Sequence, residues 1–279
     1  QTIGSHPAAA VIDGLQPDLS ARAIGTRIVA FSGGVDSSYL AWAATQVLGP
    51  RALCVTADSP SYPDGHRQMA LAIARQFDLR HEIITTTEIE REEYRANPVN
   101  RCYFCKTELY TALSTMARAR GIAAILDGAN ADDRSDYRPG RQAAREFGVR
   151  SPLDEADLTK DEIRRLSHDA GLPTWDEPAS ACLSSRIPYH SPVTPEKLQM
   201  IERAEAAVRA LGFRVCRVRH HDALARVEIG RAELDRALRP DVADRIADVV
   251  RAVGYRDVTI DPRGYRSGSL NEGIRLEPV

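Results

Sequence analysis

The most constraining feature of the sequence is the stretch RIVAFSGGVDSSYLAWAATQVLG, residues 27–49. It begins with a short apolar run typical of a buried strand, turns at two adjacent glycines, and continues with apolar residues at helical spacing. Glycine packs nothing and loses much backbone entropy on folding, so Gly33 and Gly34 indicate that something approaches the backbone at this turn. A strand that leads through glycines into a helix presents N–H groups and the positive end of the helix dipole to an anion.

The residue types at this turn favour a phosphate as that anion. Without Cβ atoms at Gly33 and Gly34 a phosphate can reach the amides, and the hydroxyls of Ser32, Ser37 and Ser38 can add hydrogen-bond donors. The stretch contains no lysine and therefore is not the loop G-x-x-x-x-G-K-[ST]. It also lacks G-x-G-x-x-G, which disfavours a dinucleotide redox cofactor.

Apolar runs alternate with helical stretches through the first half of the chain. Helices of this length between strands predict right-handed crossovers, and hence a doubly wound α/β domain whose sheet is mainly parallel and binds ligands at the carboxyl ends of its strands. A weaker strand is expected at residues 149–153. The main predicted strands are residues 27–31, 52–57, 81–86 and 122–127, and the helices are 37–48, 63–77 and 103–120.

The second half predicts a smaller α+β domain. Thr159 and Glu162 form a capping box that begins a helix, and a Pro- and Ser-rich segment then interrupts the regular pattern. From Thr194 a helix, two alternating strands, further helices and a last strand near Val258 indicate a short antiparallel sheet. The predicted organisation is an N-terminal extension (1–26), a first domain (27–175), an active-site linker (176–193) and a small substrate-binding or oligomerisation domain (194–279).

Composition narrows the class of partner. The formal net charge is -2, which gives no global case for nucleic-acid or membrane binding. No run approaches the ~18 to 20 apolar residues of a membrane span, and no signal peptide is recognisable, so a cytoplasmic location is expected. Five cysteines in a reducing compartment favour metal binding or reactivity over disulfides, although Cys54 and Cys216 lie in strand patterns and are expected in the core.

Two further motifs follow predicted strands. TADSP places Asp58 at the end of the second strand, where an adenine or ribose could lie. DGANADD follows the fourth strand, with Gly128 and Asn130 placed to orient phosphates and Asp132 to hold Mg²⁺ through oxygen ligands. Because the carboxyl ends of parallel strands share one edge, these residues are expected at the same crevice as the glycine turn.

The motif SGGVDS resembles the signature of the PP-loop ATP pyrophosphatases. Those enzymes bind the β and γ phosphates of ATP and release pyrophosphate while adenylating a substrate. The resemblance implies that Asp36 takes part in ATP binding and catalysis. Three more motifs, NRCYFCKTELY, EPASACLSSRIPY and RVRHHDALARVEI, together with the first, resemble the LarE family over about residues 28–260.

LarE proteins are ATP-dependent sulfur transferases that take part in synthesis of the nickel-pincer nucleotide. That nucleotide is the cofactor of lactate racemization. The resemblance implies adenylation of pyridinium-3,5-biscarboxylic acid mononucleotide and conversion of its carboxylates to thiocarboxylates. A carboxylate is a poor acyl electrophile, whereas its AMP ester carries a good leaving group that sulfur can displace. The resemblance also implies a homo-oligomer. A sulfide donor is a further candidate partner, although the sequence does not show what would regenerate the sulfide.

Cys182 matches the sulfur-bearing cysteine of that family. In one branch this cysteine is consumed and leaves dehydroalanine. In another, three cysteines matching Cys102, Cys105 and Cys182 hold a [4Fe-4S] cluster whose open iron carries an extra sulfide. A C-x-x-C pair alone could also be a redox pair, a zinc half-site or two packed cysteines. Because this chain has all three cysteines, the cluster branch is favoured.

Charged residues around Cys182 and on the later strands complete the predicted site. Ser185 and Arg186 are close enough in sequence to contact the acyl-adenylate, and Glu205 is expected on the surface of its helix, although a carboxylate there could act as a base. Guanidinium groups suit a nucleotide phosphate. With the family resemblance, the residues expected to bind substrate are Arg186, Arg217, Arg219 and Glu228, whereas without it a solvated outer face of a hairpin is favoured.

Two other functions stay open. A tRNA thiolase of the same superfamily could also pair C-x-x-C with an iron–sulfur cluster, but no basic stripe or aromatic platform for RNA is visible. A nucleotide-binding or zinc-binding regulatory module could hold ATP without chemistry. Bound tRNA would favour the thiolase, and bound zinc would favour the regulatory module.

Overall fold

The computed structural model describes residue 11 and residues 25–134, 139–178 and 181–266. Almost all of the predicted N-terminal extension lies outside these residues. The described chain forms two compact units. Of the described residues from 25 onward, the first unit contains 25–88, 102–134 and 139–177, and the second unit contains Ile89–Arg101, residue 178 and residues 181–266.

Seven strands and ten helices are described. The strands are β1 (Arg27–Ala30), β2 (Ala52–Asp58), β3 (His81–Thr85), β4 (Ala124–Leu126), β5 (Cys216–His221), β6 (Leu224–Ile229) and β7 (Asp257–Ile260). The helices are α1 (Val35–Leu48), α2 (Asp64–Gln76), α3 (Glu92–Arg95), α4 (Arg101–Arg120), α5 (Pro139–Glu146), α6 (Pro152–Glu155), α7 (Lys160–Asp169), α8 (Pro195–Ala210), α9 (Leu234–Ala237) and α10 (Pro240–Arg251).

The first unit contains a parallel sheet in the order β3-β2-β1-β4. The chain runs outward from β1 to β2 and β3, and then returns to the other side of β1 as β4, so the strand order reverses between β1 and β4. Crevices at such reversals are where open α/β sheets bind ligands. The predicted doubly wound parallel sheet is confirmed.

The predicted strand at residues 149–153 is wrong. Only one parallel bridge forms there, between Leu126 and Arg150. Pro152 then begins α6, because proline has no N–H to continue a ladder and suits the first position of a helix.

Helices cover both faces of this sheet. Val29 and Cys54 are buried with residues of α1 and α7 on one face. Ile28 and Leu53, one position earlier on each strand, are buried with residues of α4 on the other face. Alternate strand residues point to opposite faces, which explains why these strands are apolar throughout.

The second unit contains the sheet β5-β6-β7. β5 and β6 are antiparallel, but β7 pairs with β6 in parallel, so the sheet is mixed and the prediction of an antiparallel sheet is corrected. Val218 and Val227 face each other in the apolar core beneath α8 and α10. Arg217 and Arg219 alternate with these core residues and therefore occupy the opposite face of β5.

Residues Ile89–Arg101, which the predicted boundaries place in the first domain, pack within the second unit. His190 N donates to Asn97 O at 2.9 Å and Val193 N donates to Arg95 O at 2.9 Å, so this segment pairs with the chain that follows Cys182. The boundaries 27–175, 176–193 and 194–279 stay predictions. Along the part of the chain that the structure describes, no helix combines the length and apolar character needed to cross a membrane.

Candidate active site

The two glycines of the turn after β1 have different physical roles. Gly33 has a φ of +66°, and a Cβ there would lie 2.9 Å from Ala70 N and 3.0 Å from His66 O, both backbone atoms of α2. Gly34 has a φ of -83°, which any residue can adopt, and a Cβ there would meet only Ser32 Oγ, at 3.7 Å. The fold therefore needs glycine at position 33, whereas glycine at position 34 leaves open space that a ligand can enter.

The N-terminus of α1 borders this space. Gly34 is its N-cap residue, and no side-chain cap is present among the described residues. The first amides of a helix need partners from outside it, and an anion is a suitable one. The Ser38 hydroxyl is fully buried and has no hydrogen-bond partner within the described chain. These features fit the phosphate site that the sequence predicts.

Ser37 holds the turn in shape. Its hydroxyl accepts from Ser32 N at 3.2 Å, lies 3.1 Å from Ser32 Oγ and donates to Gly34 O at 3.2 Å. Tyr62 adds a hydrogen bond to Ser32 O at 3.0 Å from outside the turn. Hydrogen bonds within the chain therefore hold the turn in place, which lowers the entropy that ligand binding would consume.

Sequence reasoning missed Lys160. Its ammonium forms an ion pair with Asp36 in the first turn of α1, so a cation reaches the turn from a position 124 residues later in the sequence. The only available signal was the capping box that places Lys160 at the start of α7, in a chain with three lysines. The Lys160 amide donates to Asp132 Oδ2 at 2.8 Å, so the predicted magnesium ligand also caps α7.

The other predicted nucleotide residues lie at carboxyl ends of strands in the same sheet. A Cβ on Gly128 would lie 3.0 Å from Ser37 N, so glycine there allows the loop after β4 to pack closely on α1. Asn130 is buried and its Oδ1 accepts from Asp132 N at 3.0 Å. Asp58, at the end of β2, forms an ion pair with Arg67 at 3.3 Å.

Comparison with known proteins identifies the family. The asparagine synthase family matches residues 27–134. The pyridinium-3,5-bisthiocarboxylic acid mononucleotide synthase of Lactiplantibacillus plantarum is 36% identical over 247 residues, which cover 88% of this chain and 89% of that protein. The chain belongs to the LarE family. It is an enzyme, an ATP-dependent sulfurtransferase, with a PP-loop domain.

Other relatives extend this result. An uncharacterized protein of Synechocystis is 44% identical over 244 residues, covering 88% of this chain and 91% of the relative. A component of the glutamine-hydrolysing GMP synthase of Thermoplasma acidophilum is 27% identical over 212 residues, covering 71% of this chain and 67% of that component.

In this LarE protein, Cys182 is the N-cap residue just before a one-turn 3-10 helix, Leu183–Arg186, in the second unit. Its thiol is half-buried. Arg186 is 1% exposed and donates to Ala181 O at 2.7 Å, to Cys182 O at 2.9 Å and to Ser185 Oγ at 2.9 Å. Arg186 therefore shapes the loop that carries Cys182. We call residues 181–186 the sulfur loop.

Glu205 is buried, which corrects the expectation of a surface residue. Its side chain is 1% exposed and accepts from Arg186 at 2.8 Å, from Arg209 at 2.7 Å and from Val218 N at 3.2 Å. Burial alone would raise the pKa of Glu205, but the charges of Arg186, Arg217 and Arg209 outweigh burial and lower it. A carboxylate stabilised in this way is a weak base.

Arg219 and Glu228 form a second buried ion pair, in addition to Arg186 and Glu205. Arg219 donates to Glu228 Oε2 at 2.9 and 2.7 Å, and also to Ser185 O at 2.9 Å. Glu228 is fully buried and accepts from Arg226 at 3.3 Å. Arg219 and Glu228 are therefore charge-paired, as on an outer hairpin face, but they are buried rather than solvated.

Arg217 has a different environment. It is 6% exposed, donates to Cys216 O at 2.8 Å and lies over the Tyr265 ring, 5.1 Å from the centroid. Burial and the nearby charge of Arg186 lower its pKa. An anion beside Arg217 would offset that repulsion.

The remaining cysteines separate into two classes. Cys54 and Cys216 are fully buried, and burial raises the pKa of each thiol to about 12, so their predicted core role is confirmed. Cys102 is exposed and Cys105 is half-buried, both near the start of α4 in the first unit. Three thiols suit an iron–sulfur cluster in donor type. Among the described residues, however, no group of three or more His, Cys, Asp or Glu side chains is arranged to hold a metal ion.

Proposed function

We propose that this enzyme uses ATP to adenylate the carboxylates of pyridinium-3,5-biscarboxylic acid mononucleotide and replaces them with thiocarboxylates. The substrate class comes from the name of the Lactiplantibacillus relative. The structural observation that supports ATP binding and adenylation is the N-terminus of α1, which has no side-chain cap and has open space at Gly34. The observation that supports sulfur transfer is the half-buried Cys182 thiol on a loop fixed by buried arginines.

In the first step a substrate carboxylate oxygen attacks the α-phosphorus of ATP. The bond from that phosphorus to the bridging oxygen breaks, and pyrophosphate leaves with the bond electrons. We propose that the amides at Gly34 and the Ser38 hydroxyl bind the departing phosphates. Lys160, which forms an ion pair with Asp36 beside the turn, would exchange that carboxylate for a phosphate oxygen. Mg²⁺, when bound by oxygen ligands such as Asp36 and Asp132, would neutralise further phosphate charge.

In the second step sulfur displaces AMP from the acyl-adenylate. We propose that Cys182 carries this sulfur. If its own thiolate attacks, the acyl–oxygen bond breaks and a thioester to Cys182 forms. A base then removes the Cα proton, the C–H electrons become the Cα=Cβ bond, and the Cβ–S electrons stay with the thiocarboxylate. Residue 182 becomes dehydroalanine and no redox partner is needed.

We favour the alternative in which Cys102, Cys105 and Cys182 would hold a [4Fe-4S] cluster. Three protein thiolates would leave one iron without a protein ligand and free to carry a sulfide, which would permit repeated turnover. This proposal is supported by the sequence, in which all three cysteines occur at the positions that match the cluster-binding branch of the family. A sulfide donor and a homo-oligomer stay predictions.

For the substrate phosphate we propose Arg217 and Arg219. Arg217 supports this best, because its pKa is lowered by burial and by a neighbouring cation, so a phosphate would stabilise it. Arg186 and Ser185 belong to the sulfur loop, and Glu228 orients Arg219. A guanidinium held by a carboxylate presents its other N–H groups in a fixed direction.

The test is an anaerobic reaction of the purified enzyme with ATP, Mg²⁺ and the biscarboxylic acid mononucleotide. Pyrophosphate, thiocarboxylate product and the intact protein mass are measured. Loss of one H₂S from Cys182 indicates sacrifice of the cysteine, whereas product with an intact chain indicates cluster-borne sulfide. Cys182→Ala should release pyrophosphate without thiolated product, and the core variant Cys54→Ala should behave as wild type. Full product formation by Cys182→Ala, or no pyrophosphate from the wild type, refutes the proposal.

A further inference from the structure

The segment Ile89–Arg101, which we call the clasp, packs within the second unit and carries three buried polar side chains. Tyr94 and Asn97 are fully buried, and Arg101 is 4% exposed. Burying polar groups is unfavourable unless they are hydrogen-bonded. Each of the three makes hydrogen bonds to residues that follow Cys182 or to another clasp residue.

Two of these side chains hold Ser184 in the middle of the sulfur loop. Tyr94 Oη lies 2.6 Å from Ser184 Oγ, and Arg101 donates to Ser184 O at 3.2 Å. Arg101 also donates to Asn97 Oδ1, which joins the clasp residues into one network. Ser184 is fully buried at this contact.

Asn97 holds the chain just beyond the sulfur loop. Its Nδ2 lies within hydrogen-bond distance of Ile187 O at 3.3 Å, Pro188 O at 2.8 Å and Ser191 O at 3.0 Å. Its φ is +54°, a conformation that asparagine adopts more readily than most residues. The clasp therefore fixes the backbone on the C-terminal side of Cys182.

We propose that the clasp positions the Cys182 sulfur for transfer, with Tyr94 and Arg101 as positioning residues. This inference rests on the proposed function. A single 3-10 turn has too few internal hydrogen bonds to hold its own orientation. Arg186 and Arg219 hold the carbonyls of residues 181, 182 and 185, and the clasp holds that of Ser184. Loosening the clasp should then slow sulfur transfer but not adenylation.

The experiment compares two single-atom deletions in the second unit. Tyr94→Phe removes the hydroxyl that contacts Ser184. Tyr255→Phe removes a similarly buried hydroxyl whose hydrogen-bond partner is His220 Nδ1, at 2.9 Å, rather than a residue of the sulfur loop. Single-turnover reactions with ATP, Mg²⁺ and the biscarboxylic acid mononucleotide give the rates of pyrophosphate release and thiocarboxylate formation. Thermal unfolding of both variants is measured in parallel.

We expect Tyr94→Phe to slow thiocarboxylate formation about 10- to 100-fold, the effect of a small misplacement of a reacting group. Its pyrophosphate release should stay within about twofold of wild type, so that pyrophosphate formed per thiocarboxylate rises. Tyr255→Phe should keep the wild-type ratio of pyrophosphate to thiocarboxylate. Arg101→Met should raise the ratio, and Arg101→Lys, which retains a donor toward Ser184 O, should partly restore it.

Several outcomes overturn the inference. One is an unchanged ratio in Tyr94→Phe and Arg101→Met, and another is an equal rise in Tyr94→Phe and Tyr255→Phe, which would show a general loss of stability. If Tyr94→Phe does not fold, the inference is tested with Arg101→Met and Arg101→Lys. An unchanged ratio of pyrophosphate to thiocarboxylate in Arg101→Met would then overturn it. Failure of the proposed function is distinguishable, because the wild type itself would then form no thiocarboxylate.

Discussion

Substituting the two glycines of the turn one at a time should separate folding from ATP binding. Gly33→Ala places a Cβ 2.9 Å from Ala70 N and 3.0 Å from His66 O, and keeps a φ of +66°. The left-handed conformation costs about 1–2 kcal/mol for alanine. Overpacking against the backbone of α2 adds about 1–3 kcal/mol. We therefore expect the free energy of unfolding to fall by about 2–5 kcal/mol, which lowers Tm by about 4 to 20 °C.

Gly34→Ala should instead leave folding intact and weaken ATP binding. Its φ of -83° suits alanine and the nearest atom to the new Cβ lies 3.7 Å away, so the variant should fold normally. Reduced freedom of the unfolded chain could add about 0.4–1 kcal/mol of stability. The methyl group, however, occupies the space where a phosphate would meet the amides. Loss of one charge-assisted hydrogen bond, about 1.5–3 kcal/mol, predicts a KM for ATP about 10- to 100-fold higher.

The assays are thermal unfolding of each variant and pyrophosphate release at a series of ATP concentrations. Each glycine variant is the matched control for the other. Wild-type KM for ATP in a fully folded Gly34→Ala would refute the assignment of the open space to phosphate. A wild-type Tm in Gly33→Ala would refute the packing argument.

Three other predictions concern charges and thiols. Lys160→Met, which leaves Asp36 without this ion pair, should raise the KM for ATP about tenfold, and Lys160→Arg should raise it less. Glu205→Gln should lower stability near neutral pH by about 3–5 kcal/mol, measured by denaturant unfolding, because Arg186 would stay buried without its carboxylate. Since the pKa of Glu205 is lowered from 4.5, its stabilisation is complete above that pH and is lost as pH falls through the folded pKa, so wild type and variant should converge in acid. Cys54, with a pKa of about 12 and no exposure, should resist alkylation by iodoacetamide until the protein unfolds.

The parts of the fold that the sequence predicted correctly depend on local patterns. Continuous apolar runs between helical stretches predict a doubly covered parallel sheet, because such strands are buried on both faces. The capping box at Thr159 predicts the start of α7, since both of its hydrogen bonds lie within four residues. The direction of β7 was not predictable, because alternation indicates a strand and not its partner's orientation.

The parts of the site that were missed depend on contacts between distant residues. Lys160 and Asp36 are separated by 124 positions, and nothing near either one indicates the other. Tyr94, Asn97 and Arg101 carry no periodic signal that would assign their segment to the second unit. Their positions become informative only once Ser184 and its neighbours are seen to contact them.

Glu205 shows a more general reason why charged sites escape sequence patterns. A polar residue on a helix or strand is normally read as solvent-facing, yet in the second unit both faces of β5 are buried, one against apolar side chains and the other among ion pairs. Buried ion pairs add little net stability compared with apolar residues of similar volume, because desolvation offsets their attraction. Their presence is therefore better explained by their hydrogen bonds to the sulfur loop, which position Cys182, than by a gain in the free energy of folding. Removing a carboxylate from this group should change the placement of the sulfur loop as well as the stability of the unit.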